Sequence, residues 1–316
     1  MLATGPLLRR LAEAAIERQE LAFYGALPKG MVVGVLAEYG KDKDRRGAKL
    51  PHWLTLWLVL SMGFLRDLDL PTVLDRIALT FGAPPRWQGR VPHSTSLAKA
   101  RDRLGFDVVR ALFRRFAGFL GRELNDRDRW RGLVPVSIDG TMLDVPDTPA
   151  NVAAFERPGG RNGSGAFPKL RLVALVSTVS HFVLGCVLAP CKGKGTGEGS
   201  LALSLAALLQ KDWLLLADRA FCAYPLLEAL SDRPFFVRKT TGPTAVKPAK
   251  IETLKRRKDY WVDYLPTSVA KRGGSPLRLR WVRIRVQNTL SPLPWLTVPP
   301  ARNPLPRGRH DEAIQA

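Results

Sequence analysis

Cysteine and histidine are scarce in this chain. Cys186, Cys191 and Cys222 form no paired spacing, so neither a disulfide framework nor a structural zinc site is readable. His52, His93, His181 and His310 are scattered, which leaves no histidine-based metal cluster to propose. So sparse a thiol content fits a reducing cytoplasm. Long apolar runs are missing too. The most apolar stretch, "LPHWLTLWLVLSMGFL" from Leu50 to Leu65, falls short of the roughly 18–20 residues that span a bilayer. It reads as a buried helix, and no membrane partner is expected. The start "MLATGPLLRRLAEAAIERQE" carries acidic residues among its apolar ones and lacks the greasy centre of a secretory signal. Negative charge is the minority: 28 Asp and Glu stand against 49 Lys and Arg, a formal net charge of +21. Such an excess points to a polyanionic partner, most simply nucleic acid, bound with release of counterions.

What is present divides along the chain. At 316 residues and 46% hydrophobic content there is material for one large core or two ordinary domains. Residues 1–130 read as helical. "LLRRLAEAAIERQELAF" repeats apolar residues at three- and four-residue steps. Leu50–Leu65 is apolar on nearly every face, as a central helix would be. Pro71 opens "PTVLDRIALTFG" and Gly82 closes it; Ser94 or Ser96 caps "SLAKARDRLG", which Gly105 ends. Phe106 to Leu124 forms a further amphipathic helix. Lys99, Arg101, Arg103, Arg110, Arg114 and Arg115 give these helices a basic face. That face suits a helix-turn-helix region or DNA docking, or else a solvated surface of a bundle. "GKDKDRRGAKL" is a loop whose Arg45, Arg46 and Lys49 could reach phosphates.

From 131 to 242 the pattern becomes mixed α/β. "LVPVSIDGT" is a short strand, Leu133–Thr141. Lys169–Thr178 and Phe182–Ala189 form a hairpin, "GKGTGEGS" a glycine-rich turn, and "LALSLAALLQ" a helix. "WLLLA" is a buried strand, "CAYPLLEALS" a helix and "PFFVRK" a strand. Residues 243–286 are basic and strand-like, with clean alternation in "LRLRWVRIRV". The tail 287–316 holds six prolines between Pro292 and Pro306, so no regular structure is expected there.

Two aspartates stand at matching places, Asp139 after "PVSI" and Asp218 after "LLLA", each where a buried strand meets its polar end. On adjacent strands both carboxylates would emerge side by side and repel unless a cation lay between them. A hard divalent ion, Mg²⁺ or Mn²⁺, takes oxygen ligands and supports phosphoryl transfer. The alternative for each is an ordinary turn or capping residue.

"SIDGT", the hairpin, "KGTGEGSLALSLAALL" and "LLLADRAF", in that order, resemble the DDE transposases of bacterial insertion sequences, in particular the insertion-sequence-four group. "LPHWLTLWLVLSMGFLRDLDLPTVLDRI" and "PHSTSLAKARDRLG" resemble that group's helical N-terminal domain. The likeness runs from about Leu36 to about Lys239. It implies a helical DNA-binding domain, an RNase H-like mixed-sheet catalytic core and part of a β-rich insertion. It further implies Mg²⁺- or Mn²⁺-dependent strand cleavage and transfer on insertion-element ends and target DNA, by a dimer in the DNA complex, in the bacterial cytoplasm at the nucleoid. Asp139 and Asp218 take the places of the first two catalytic acids, with Arg219 and Phe221 following as in the group's "DRGF"-like segment and Ala220 standing in the glycine place. Arg219 then joins Lys99, Arg101, Arg103, Arg110 and Arg114 as a DNA contact. The third acid, a Glu in a Tyr-x-x-Arg-x-x-x-Glu pattern, is absent: Tyr224, Tyr260 and Tyr264 are followed three residues on by Leu227, Asp263 and Thr267. The chain is therefore expected to stop, or change frame, inside the insertion and to be impaired. A non-catalytic, inhibitory DNA-binding product of such an element is the alternative. Glu198 is expected to serve at a helix N-terminus rather than as a ligand; Glu252 is expected to be solvated, and Asp311 and Glu312 lie in the tail.

Overall fold

A computed structural model describes residues 27–44, 48–63, 65–82, 84, 87, 92–124, 126–160, 163–238, 252–253, 260–284 and 293–297. The expected helix before residue 27, Arg45 and Arg46 lie outside these residues. The chain forms two compact units, Met1–Phe119 and Leu120–Ala316. Their division falls inside a helix rather than at residue 130.

The first unit is helical, with α1 (Lys29–Glu38), α2 (His52–Ser61), α3 (Leu70–Phe81), α4 (Ser94–Leu104) and α5 (Phe106–Glu123). In α2 the residues Leu54, Thr55, Leu56, Trp57, Leu58 and Ser61 are all buried, which is why the stretch is apolar all round. Its first turn is held from the preceding loop, where the Asp44 carboxylate accepts the His52 N–H at 3.0 Å. Pro71 and Gly82 delimit α3 as expected, but the cap is Asp69, which accepts the Thr72 N–H at 2.9 Å. Hydrogen bonding from the Thr72 side chain, and after it from the Thr72 N–H, favours the ionised form and holds the Asp69 carboxyl below the usual range. For α4 the structure corrects the expected serine cap: His93 precedes the helix and its Nδ1 accepts the Thr95 N–H at 3.3 Å. Gly105 ends α4 with φ 84°, a backbone angle that glycine adopts without strain.

The second unit is built on a nine-stranded sheet among the described residues, in the order β5-β4-β1-β6-β7-β11-β10-β9-β8. Third in that order is β1 (Val134–Asp144), flanked by antiparallel β4 (Lys169–Ser177) and parallel β6 (Trp213–Ala217). The predicted hairpin is β4 with β5 (Val183–Pro190), and β7 (Phe235–Arg238) continues parallel to β6. Val134, Val136 and Ile138 face one side, in register with Trp213, Leu215 and Ala217, and all six are buried. The helices α7 (Glu198–Ala206) and α8 (Tyr224–Ala229) cover that side with Leu201, Leu205, Leu226 and Leu227. Each such side chain contributes about 1.5–3 kcal/mol by leaving water. Between β1 and β4 the chain forms α6 (Pro149–Phe155) and the two-residue strands β2 (Gly159–Gly160) and β3 (Gly163–Ser164).

The basic segment after 242 adds β8 (Glu252–Thr253), β9 (Tyr260–Tyr264), α9 (Thr267–Ala270) and β10 (Leu277–Ile284). The strands extend the same sheet. The tail corrects the sequence reading. Leu293–Thr297 forms β11, paired to β10 along Leu293–Thr297 and to β7 at Trp295 and Leu296. Pro294 pairs with Arg283 of β10, and among the described residues the pairing of β11 with β7 begins at Trp295. The rest of 287–316 lies outside the described residues.

Candidate functional site

Strand β1 does not end at Asp139; it runs on to Asp144. What ends there is its burial and its pairing with β6. The parallel register closes at Ile138↔Ala217; Asp139 is the next residue of β1, and Asp218 directly follows the end of β6. In-register parallel neighbours point to the same face, with strands ~4.8 Å apart. The two strands are adjacent, as expected, and each aspartate follows the last residue they pair. Both residues are exposed.

Each aspartate is oriented by one backbone bond. The Asp139 Oδ1 accepts the Gly140 N–H at 2.8 Å, and the Asp218 Oδ1 accepts the Ala220 N–H at 2.7 Å. Asp218 thus caps the 3₁₀ turn Arg219–Phe221, a turn locked to the core by the fully buried Phe221. The capping and metal-holding roles are compatible, since a carboxylate has a second oxygen. Among the described residues neither Oδ2 has a hydrogen-bond partner. A pair of hard oxygen donors of this kind fits Mg²⁺ or Mn²⁺.

No third acid completes the pair: among the described residues no group of three or more His, Cys, Asp or Glu could hold a metal. Glu198 begins α7 and is ion-paired to Arg171 of β4, Nη1 to Oε1 at 3.4 Å. Its carboxylate packs on the backbone of Gly140, where a built Cβ would meet the Glu198 Oε1 at 2.8 Å. Glu252 lies in β8, the edge strand at the far side of the sheet from β1. Asp311 and Glu312 lie outside the described residues. "GTGEGS" marked Glu198 in the sequence; nothing there marked Arg171 or the contact with Gly140.

The basic residues divide between the units. Lys99, Arg101 and Arg103 are exposed on α4, and Arg110 and Arg114 on α5. Arg219 is exposed beside Asp218 in the second unit. Several of these cations are already engaged. Arg110 pairs with Asp107 at 2.7 Å and lies 5.4 Å over the Phe106 ring. Arg103 donates to the Leu50 carbonyl at 3.4 Å, and Arg115 pairs with Glu38. Lys99 and Arg114 have no partner among the described residues. The connection from α4 to α5 is Gly105 alone, tighter than the three- or four-residue turn of a helix-turn-helix. Of the alternatives open in the sequence, this geometry favours a basic helical face. No helix of the described residues is long and apolar enough to cross a membrane.

Comparison with known proteins meets the chain at both units. Residues 19–114 match the family described as insertion element 4 transposase N-terminal. The chain is 28% identical over 198 residues to the transposase InsG for insertion sequence element IS4 of Escherichia coli K12, covering 62% of this chain and 42% of that one. It is 31% identical over 192 residues to the putative transposase InsZ of the same organism, covering 60% of each. The chain thus spans about half the length of the curated relatives it matches. Among solved structures, the catalytic domain of human endonuclease V is 14% identical, covers 66% of this chain and 82% of its own, and has a TM-score of 0.25, too low to carry weight. By its N-terminal match and its two relatives, the chain is similar to the insertion element 4 transposases over part of its length.

Proposed function

We propose that this chain acts on DNA as a DDE-type transposase, by divalent-metal-dependent cleavage and transfer of strands at insertion-element ends. One observation carries the reading: Asp139 and Asp218 are consecutive to the last paired residues of two adjacent parallel strands, so their carboxylates share one face. Strand β1, with an antiparallel hairpin on one side and parallel β6 and β7 on the other, supports an RNase H-like core. The names of the relatives support a transposase. Asp139 and Asp218 would hold Mg²⁺ or Mn²⁺, whose chemistry when bound is activation of an oxygen nucleophile and stabilisation of the leaving oxygen. The protein's own share is to orient both carboxylates through the Gly140 and Ala220 N–H groups. Arg219, next to Asp218, is placed to meet a phosphate, and the α4–α5 cations bind duplex DNA. A homodimer on paired element ends, in the cytoplasm at the nucleoid, belongs to the same reading.

With two carboxylates, metal affinity and positioning of the attacking oxygen are weakened, so this chain alone cleaves slowly. The absence of a three-acid cluster among the described residues favours a second reading, a DNA-binding chain that occupies element ends and inhibits. Nicking of element-end DNA in Mn²⁺ separates the two. Nicking that Asp218→Asn abolishes supports the transposase. Sequence-specific binding with no nicking at any Mn²⁺ concentration supports the inhibitor.

A further inference from the structure

We propose that the first turn of α7 is a clamp that aligns the two aspartate-bearing elements, with Glu198 as its positioning residue and Arg171 as its anchor. This rests on the reading of Asp139 and Asp218 as the metal site. Glu198 and Gly199 are neighbours in sequence, and each touches one arm of that site. At Gly140 a built Cβ would stand 2.7 Å from the Glu198 Cγ and Cδ, so the side chain lies directly on the Gly140 Cα. Gly199 lies beside the other arm: a Cβ built there would stand at van der Waals distance, 3.7 Å, from the Ala220 carbonyl oxygen and the Ala223 Cβ.

The coupling to the carboxylates runs through the backbone. The Gly140 N–H orients Asp139, and the Ala220 N–H orients Asp218. Pressing on Gly140 and on the Ala220 turn therefore fixes both donors that aim the acids. Glu198 itself is held by Arg171, which stands on β4 opposite Met142 and also reaches the Cys191 carbonyl at 3.5 Å. The pair is partly withdrawn from water, the side chains 20% and 28% exposed, so each ion depends on the other more than a surface pair does. Side chains alternate along a strand, so Glu198 reaches Gly140 from the face opposite the one Asp139 uses. It acts on the acid through the chain rather than as a third ligand.

The test is Mn²⁺ binding by the full chain, measured by calorimetry and by electron paramagnetic resonance, with the thermal midpoint recorded for each variant. Glu198→Ala and Arg171→Ala are each expected to weaken Mn²⁺ binding about tenfold, the lower end for residues that orient a ligand. The double variant should be no worse than the weaker single. Glu198→Gln keeps the side chain on Gly140 and should retain affinity within about threefold. Gly140→Ala should weaken binding, and removing the Glu198 side chain in Gly140→Ala/Glu198→Ala should restore it to the level of Glu198→Ala. Should Glu198→Ala unfold, the Glu198→Gln and Gly140→Ala pair still decides. Asp218→Asn is the control: wild-type binding no stronger than in that variant sinks the metal site itself. Wild-type binding that Asp218→Asn destroys but Glu198→Ala, Arg171→Ala and Gly140→Ala leave unchanged overturns the clamp alone. Loss in Glu198→Gln as deep as in Asp218→Asn also overturns it, since Glu198 would then be a ligand.

Discussion

Replacing Asp218 by Asn isolates charge from shape. The amide keeps an oxygen for the Ala220 N–H, now 2.7 Å from Oδ1, so the cap of the Arg219–Phe221 turn survives. Phe221 keeps its fully buried seat. What is lost is one negative charge beside Asp139. Two unit charges 4 Å apart attract by about 1 kcal/mol in water and about 4 kcal/mol near a protein surface. Asp218 is exposed, so the aqueous value is the better guide. Doubled for a divalent ion it becomes about 2 kcal/mol, roughly a 30-fold loss of affinity. Mn²⁺ titration by calorimetry at pH 7 and low ionic strength reads this directly, and the thermal midpoint reports the fold. Asp139→Asn should give a similar loss, and 0.5 M salt should shrink both by screening. Variant and wild type binding Mn²⁺ within threefold of one another, with equal midpoints, would refute the pairing of the two acids.

Other outcomes follow from the same geometry. Lys99→Ala and Arg114→Ala remove cations with no partner among the described residues, and each should weaken DNA binding and lower the salt slope by about one, read by fluorescence anisotropy across a salt series. Asp69 has a lowered folded pKa, so its contribution to stability is present above the ordinary carboxylate value and is lost as pH falls through the lower folded value; Asp69→Asn should flatten that acid limb in denaturant melts from pH 5 to pH 2. Phe235 is fully buried in the second core, so Phe235→Ala should cost about 3–5 kcal/mol in urea unfolding. Leu296 lies in β11 between β7 and β10, so Leu296→Pro should lower the thermal midpoint; an unchanged midpoint would remove β11 from the sheet.

Much of this was legible from local pattern. Gly82 and Gly105 end their helices because glycine adopts positive φ freely, and both do so, at 92° and 84°. The paired β-branched runs after Lys169 became a hairpin, and the continuous apolar run in "WLLLA" became a parallel strand with Leu214 and Leu215 both buried. Caps were less legible, because several neighbouring residues could have supplied the short-range acceptors that Asp69 and His93 provide. The tail misled. Its prolines do forbid helix, yet Leu293–Thr297 pairs as a strand, and a proline count says nothing of which backbone donors a sheet requires.

By itself the sequence determined the positive charge, the helical and mixed halves, and the two aspartates that follow apolar runs. These depend on neighbours within a few residues, which a linear pattern records. The tertiary structure alone decided that Ile138 pairs with Ala217, bringing Asp139 beside Asp218. It alone set Glu198 on Gly140 and Arg171 on Glu198. Strand register and cross-element packing join residues far apart in the chain, and slipping either strand by one residue would turn one acid to the opposite face.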